Sequence, residues 1–201
     1  MLENLASRIT SYMILQGVVP REDEEVHVFG WTMLLFSVGS FSAILLAGAL
    51  LGQLLGTVLF LVSFTFLRSY AGGWHANSFF KCFLITMTLY ACCSLIHFYL
   101  PEIYLSLTIR SLLLISLLIT FVWAPMDHPN KPFRGDQKKK NKKLSRITVL
   151  AQTIIIIVLG VWQSWLNTYL LWAALGMAVT SLTLLFVVCH PYKTKEESIP
   201  G

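Results

Sequence analysis

Residues 31–67 read "WTMLLFSVGSFSAILLAGALLGQLLGTVLFLVSFTFL" and include no charged side chain. One bilayer crossing takes about 20 apolar residues in a helix, and this run is about twice that long. Helix-weakening or polar residues interrupt it near the middle, where we predict a turn between two membrane-spanning helices. These residues are Gly48, Gly52, Gln53 and Gly56.

The composition of the whole chain agrees with a membrane protein. Hydrophobic residues make up 56% and charged residues 12% of the sequence, and the mean hydropathy is +0.68. An ordinary soluble domain carries about 25% charged residues. The start of the chain lacks the pattern of a cleaved secretory signal. We therefore expect an all-α polytopic membrane protein that needs no cofactor and binds no nucleic acid.

In the rest of the sequence, charged residues, glycines and prolines separate further apolar stretches of the length that a bilayer requires. We predict one membrane domain over 1–201 with about six transmembrane helices and an N-terminal amphipathic helix on the membrane surface. The predicted parts are the amphipathic helix 1–20, spans one and two in 31–67, an active-site segment 68–78, spans three and four in 79–123, a basic loop 124–146, spans five and six in 147–188, and a tail 189–201.

Lysine and arginine predict the orientation, because they are retained on the cytoplasmic side of a membrane. The loop 124–146 is the most basic part of the chain, so we expect it to be cytoplasmic. Counting spans from it places both termini and the segment 68–78 on the same side. Every lysine and arginine except Arg110 then lies on the cytoplasmic side. Four lysines of the loop are candidates to contact anionic lipid or an acidic substrate. They are Lys131, Lys138, Lys139 and Lys140.

The segment 68–82, "RSYAGGWHANSFFKC", gathers polar residues at the predicted membrane edge. If Asn77 or Ser78 caps the third span, Cys82 lies in the first helical turn, where the positive end of the helix dipole favours a thiolate. Ionisable residues at such a position indicate function. Cys82 is therefore a candidate nucleophile.

A histidine could activate this cysteine. His75 precedes Cys82 by seven residues, which on one continuous helix would separate them by about 10 Å. Gly72 and Gly73 permit backbone conformations closed to other residues, so the segment can fold back and bring the imidazole over the helix start. We predict that His75 is not on the helix of Cys82.

The other cysteines have less active interpretations. Cys92 and Cys93 lie deep in the third span, where we expect them to serve packing. An alternative is a zinc site, because four candidate ligands fall on one side of the membrane: His75, Cys82, Cys189 and His190. The ligands lack the paired spacing typical of zinc sites, so we expect no metal.

The order and spacing of these residues resemble those of a known family, the accessory gene regulator B proteins. These are membrane endopeptidases that process quorum-sensing peptide precursors in Gram-positive bacteria. The match comprises Arg68, Gly72, Gly73, His75 and Cys82, with "APMDHPNKP" at 124–132 and a similar length and layout of spans. The resemblance implies a location in the bacterial cell membrane and a short precursor peptide as substrate.

The resemblance also implies roles for individual residues. His75 and Cys82 correspond to the catalytic pair, and Arg68, Gly72 and Gly73 to residues that support the site.

From the chemistry alone, Arg68 or Asn77 could stabilise an oxyanion, and Asp127 or Asn130 could orient His75. The resemblance, in turn, implies the reaction: the C-terminal tail of the precursor is cleaved off through a Cys82 acyl-thioester, and the peptide closes to a thiolactone or lactone.

Two other functions remain open at this point. A transporter or exporter of peptide or lipid would use the same cluster to line its entrance, although its spans offer few polar side chains for a pathway. An acyltransferase would use the same cysteine and histidine on lipid substrates. Membrane lipids are expected partners in every case, and a homodimer is an open alternative to a monomer.

Overall fold

A computed structural model describes residues 2–73, 79–126 and 136–189. Within these ranges the chain forms seven α-helices and two short 3₁₀ turns, Arg21–Asp23 and Ser164–Leu166. The helices are α1 (Leu2–Leu15), α2 (Glu24–Leu50), α3 (Leu54–Ala71), α4 (Phe79–Tyr99), α5 (Glu102–Trp123), α6 (Gln137–Trp162) and α7 (Asn167–Cys189). The chain divides between Leu50 and Leu51 into two compact units.

The first unit consists of α1 and α2. Helix α1 carries apolar residues at helical spacing, and its face with Ala6 and Thr10 is fully buried. Gly17 follows it with φ +71°, a left-handed conformation that favours glycine and ends the helix. The amphipathic N-terminal helix is thus confirmed, while its position on a membrane surface stays a prediction.

In the described part of the chain, six helices, α2 to α7, are long and apolar enough to cross a bilayer, which confirms the multi-pass fold. The chain breaks between α2 and α3 inside the uncharged run at 31–67, where Gly52 has φ +69°. Side chains other than glycine rarely adopt this conformation, so the helix ends there although the hydropathy continues.

Helix α6 differs most from the sequence-based prediction. It begins at Gln137, ten residues before the predicted start of the fifth span at residue 147, so the lysine-rich half of the expected loop 124–146 is helical. Lysine has a high helix propensity, whereas hydropathy detects only the part of a helix inside the bilayer. The 26 residues of α6 give a length of about 39 Å, which exceeds the roughly 30 Å of a bilayer core.

Helix α7 forms the core of the second unit and is the most buried of the candidate spans. It packs against α3 and α5. Gly176 permits the close approach to α3, because a Cβ there would lie 2.5 Å from the carbonyl oxygen of Phe60. The rings of Phe60, Tyr90 and Trp172 fill the space between α3, α4 and α7.

Two contacts bring several helix ends together at one end of the second unit. The backbone N–H of Met126, after α5, donates to the carbonyl oxygen of Ala71 at the end of α3, at 3.0 Å. The Arg146 guanidinium of α6 donates to the carbonyl oxygen of Phe121 near the end of α5, also at 3.0 Å. The first turn of α4 and the last turns of α7 lie at this same end, which we call the Cys82 end.

Candidate functional site

Cys82 is the fourth residue of α4 and lies in its first turn, as the sequence predicted. Its side chain is half-buried. Its carbonyl oxygen accepts a hydrogen bond from the Thr86 hydroxyl at 2.9 Å, one turn further along the helix. A thiol at this position has the free N–H groups of a helix start nearby, which interact favourably with negative charge.

A cavity of about 20 Å³ opens beside Cys82 and is lined by residues of three helices. Helix α3 contributes Phe64 and Arg68, and α7 contributes Thr183. The remaining lining comes from α4, namely Cys82, Ile85, Thr86 and Leu89. This volume holds about one water molecule or one small group. The thiol, a guanidinium and a hydroxyl therefore share one small, largely apolar space.

The Arg68 guanidinium is held by neighbours on two helices. Its Nη1 donates to the Thr183 hydroxyl oxygen at 2.9 Å. Its Cζ lies 5.4 Å from the centre of the Phe64 ring, within the range of a cation–π interaction. Arg68 is one of the residues that the sequence singled out, and the structure brings it to the cavity of Cys82.

The two glycines after α3 are required for different reasons. Gly72 has φ +74°, and a Cβ there would lie 2.6 Å from the carbonyl oxygen of Met126. Gly73 has φ +136°, and a Cβ there would lie 2.6 Å from the Thr183 hydroxyl oxygen and 3.2 Å from Nη1 of Arg68. Gly72 thus allows two backbone segments to meet, whereas Gly73 leaves room for the Arg68–Thr183 hydrogen bond.

Several predicted site residues lie outside the residues that the structure describes. They are His75, Asn77, Asp127, Asn130 and Lys131. The pairing of His75 with Cys82 and the orienting roles of Asp127 and Asn130 therefore stay predictions.

Three of the predicted lysines are exposed at the start of α6, namely Lys138, Lys139 and Lys140. Lys139 also pairs with Asp136 at 3.6 Å on the surface, where such a pair contributes little to stability.

The remaining thiols are placed apart from this cavity. Cys93 is 4% exposed and serves packing, as expected. Cys92 is exposed on the surface of α4, contrary to that expectation, because consecutive residues on a helix point about 100° apart. In the described ranges, no three His, Cys, Asp or Glu side chains lie close enough together to hold a metal ion.

Comparison with known proteins places the chain in a family. The family model for accessory gene regulator B, AgrB, matches residues 6–187, most of the chain. The chain belongs to the AgrB family. An AgrB-like protein of Clostridium perfringens (strain SM101 / Type A) is 24% identical over 93% of this chain and 92% of that relative. An AgrB-like protein of Listeria innocua is 28% identical over 69% of each chain. No solved structure matches the chain significantly.

AgrB membership suggests a role in the processing of autoinducer peptides. The structure adds two features near the Cys82 cavity that the sequence did not predict. The first is Thr183, which lies in an apolar helix, where the presence of a threonine does not by itself indicate a functional role. The docking of Met126 onto Ala71 joins the two motifs that carry the AgrB resemblance, the glycine segment after α3 and the proline-containing segment after α5.

Proposed function

We propose that this AgrB-family chain is a membrane cysteine endopeptidase that removes the C-terminal tail of a short quorum-sensing precursor and closes the remaining peptide into a ring. One observation carries the proposal. Cys82, at the start of a helix, shares a cavity with the Arg68 guanidinium. A nucleophilic sulfur and a fixed cation in an apolar space are the parts that acyl transfer requires.

The first step of the proposed reaction is attack on the precursor. The Cys82 sulfur attacks the carbonyl carbon of the scissile peptide bond while His75 takes the thiol proton. The negative oxygen of the tetrahedral intermediate is stabilised by Arg68 and by N–H groups at the start of α4. The C–N bond then breaks, the proton passes to the leaving amine, and the C-terminal tail departs with a free amino terminus.

The second step is ring closure. A thiol or hydroxyl of the bound peptide attacks the Cys82 thioester, the C–S bond to the enzyme breaks, and Cys82 regains its proton. A thiolactone retains the energy of the thioester, so closure needs no ATP, whereas hydrolysis would lose that energy. The small apolar cavity favours closure because it limits the access of water.

The proposed substrate would approach along a basic surface. From Leu51 onward, the described residues carry only two carboxylates, Glu102 and Asp136. The exposed lysines at the start of α6 lie at the Cys82 end and attract an acidic peptide tail or anionic lipid. This charge distribution supports a cytoplasmic location of the Cys82 end and of both termini.

The test is co-expression of the chain with a precursor peptide encoded next to it. We expect wild-type protein to yield a shortened peptide and an acylated form whose added mass equals the retained peptide and disappears on treatment with hydroxylamine. Cys82→Ala should lose both products, and Cys92→Ala should keep both because that thiol is exposed far along α4. Cleavage that survives Cys82→Ala contradicts the proposal. Export of uncleaved peptide by both variants indicates a transporter instead.

A further inference from the structure

Thr183 is the only α7 residue that lines the described Cys82 cavity. It follows Arg68 by 115 positions in the sequence. Its side chain is half-buried, six residues before α7 ends at Cys189. The hydroxyl takes part in two hydrogen bonds, one within α7 and one to Arg68. These two bonds define what the residue can do.

The hydrogen-bond directions are fixed by chemistry. The Thr183 hydroxyl donates its proton to the carbonyl oxygen of Thr180 at 2.7 Å. A hydroxyl has one proton, so toward Arg68 the same oxygen can only accept. Arginine has donors and no acceptor, so its Nη1 and the Thr183 oxygen form a matched pair at 2.9 Å. The helix backbone therefore orients the threonine, and the threonine orients the guanidinium.

Packing restricts the guanidinium on its other sides. Phe64 presents its ring at 5.4 Å from Cζ of Arg68. Gly73 lies close to both Arg68 and Thr183, and a side chain at this position would collide with them. A hydrogen bond from a charged donor, here between two half-buried side chains, holds a long flexible side chain in one place.

We propose that Thr183 is a positioning residue that holds the Arg68 guanidinium inside the Cys82 cavity, where it acts on negative charge that forms beside the sulfur. The role of this charge in peptide processing rests on the proposed function. The presence of a positioned cation beside Cys82 does not, and it can be measured without any peptide.

The measurement compares two alkylating reagents on Cys82 in the full chain, with Cys92, Cys93 and Cys189 replaced by alanine. Iodoacetate and iodoacetamide both react with the thiolate, forming a C–S bond and releasing iodide, and they differ in charge. Their rate ratio cancels the thiolate fraction and reports the local electrostatic attraction. Loss of one such attraction over about 6 Å at a dielectric near that of water corresponds to a fall of about threefold in the ratio, and to more in an apolar cavity.

Thr183→Val keeps the shape of the side chain and removes the acceptor, so we expect the iodoacetate to iodoacetamide ratio to fall at least about threefold. Thr183→Ser keeps the hydroxyl and should retain the wild-type ratio. Ser181→Ala is the matched control, because that buried α7 hydroxyl donates to Met177 and lies toward α5. An unchanged ratio in Thr183→Val, or an equal fall in Ser181→Ala, overturns the proposal.

A double-mutant cycle separates positioning from a general effect on folding. In an Arg68→Ala background, Thr183→Val should change the ratio no further, because the group through which it acts is gone. A further fall there overturns the proposal. The same cycle is measured with Thr183→Ala. If one of the two Thr183 variants folds poorly, the other still tests the proposal.

The precursor-cleavage rate should follow the same cycle. If the alkylation ratios follow the cycle but the wild-type chain cleaves no precursor peptide, the proposed function is refuted. The positioning role of Thr183 is then still supported.

Discussion

Gly73→Ala is the most direct perturbation of the site, since it adds one methyl group at a defined place. The new Cβ would lie 2.6 Å from the Thr183 hydroxyl oxygen and 3.2 Å from Nη1 of Arg68. Both distances are shorter than ordinary van der Waals contact, so the methyl must displace the hydrogen bond between these side chains. Gly73 also has φ +136°, where any L-residue is strained.

The size of the effect divides into two parts. Backbone strain costs roughly 1–2 kcal/mol for a residue with a side chain in the left-handed helical region, where Gly52 lies, and more at the φ of Gly73, which lies outside it. Loss of a hydrogen bond to a charged group costs about 1.5–3 kcal/mol more. Gly52 is the control for strain without a steric contact, because it has φ +69° and a Cβ there would meet nothing within 4 Å. Gly52→Ala should therefore show backbone strain alone, and Gly73→Ala should show its own, larger strain together with the loss of the hydrogen bond.

The assay combines thermal unfolding in detergent with the rate of precursor cleavage. Both variants should unfold at lower temperature than the wild type. Only Gly73→Ala should also lose cleavage, by about 10²-fold, the typical effect of removing one stabilising donor from an oxyanion. Equal cleavage rates in the two variants would refute this reasoning, because the added methyl at residue 73 would then have no effect on the Arg68 site.

Three further predictions concern the bundle around the site. Gly176→Ala should lower the unfolding temperature by forcing its Cβ against the backbone of Phe60, a cost of about 1–3 kcal/mol, whereas Gly39→Ala, in open space on α2, should not. Thr57→Val removes the 2.6 Å hydrogen bond to the buried Tyr90 hydroxyl and should cost about 1 kcal/mol in unfolding experiments, and Thr57→Ser should restore it. Replacing the three exposed lysines of α6 with glutamine should weaken binding to vesicles of anionic lipid by about 1 kcal/mol per lysine, and unchanged binding would exclude this surface. The three are Lys138, Lys139 and Lys140.

The sequence predicted the spans well because their length and apolarity are local properties. The glycines near residue 52 predict a break between two helices, and the structure has that break between Leu50 and Leu54. The start of α6 at Gln137 was not predicted, because a lysine-rich helix outside the bilayer has the composition of a solvated loop. Hydropathy marks the membrane boundary, and helix propensity decides where the helix itself begins.

The site could be predicted only in part. Cys82 was found from its position at a helix start, and Arg68 and the glycines from the motif around it. Thr183 could not be found, because its contact with Arg68 joins residues 115 positions apart and depends on how α7 packs against α3. A threonine in a membrane helix usually bonds to its own backbone, so its residue type alone does not indicate a function.

The Arg68–Thr183 hydrogen bond also has a consequence for how the protein is made. Arg68 is synthesised and enters the membrane with α3, but its partner arrives only with α7, after three other helices. A nascent chain that has inserted α3 and α4 already carries Cys82 but has not yet received Thr183. The cavity is therefore completed late in biosynthesis, and a ribosome-bound intermediate that lacks α7 carries the thiol without the contact between Thr183 and Arg68.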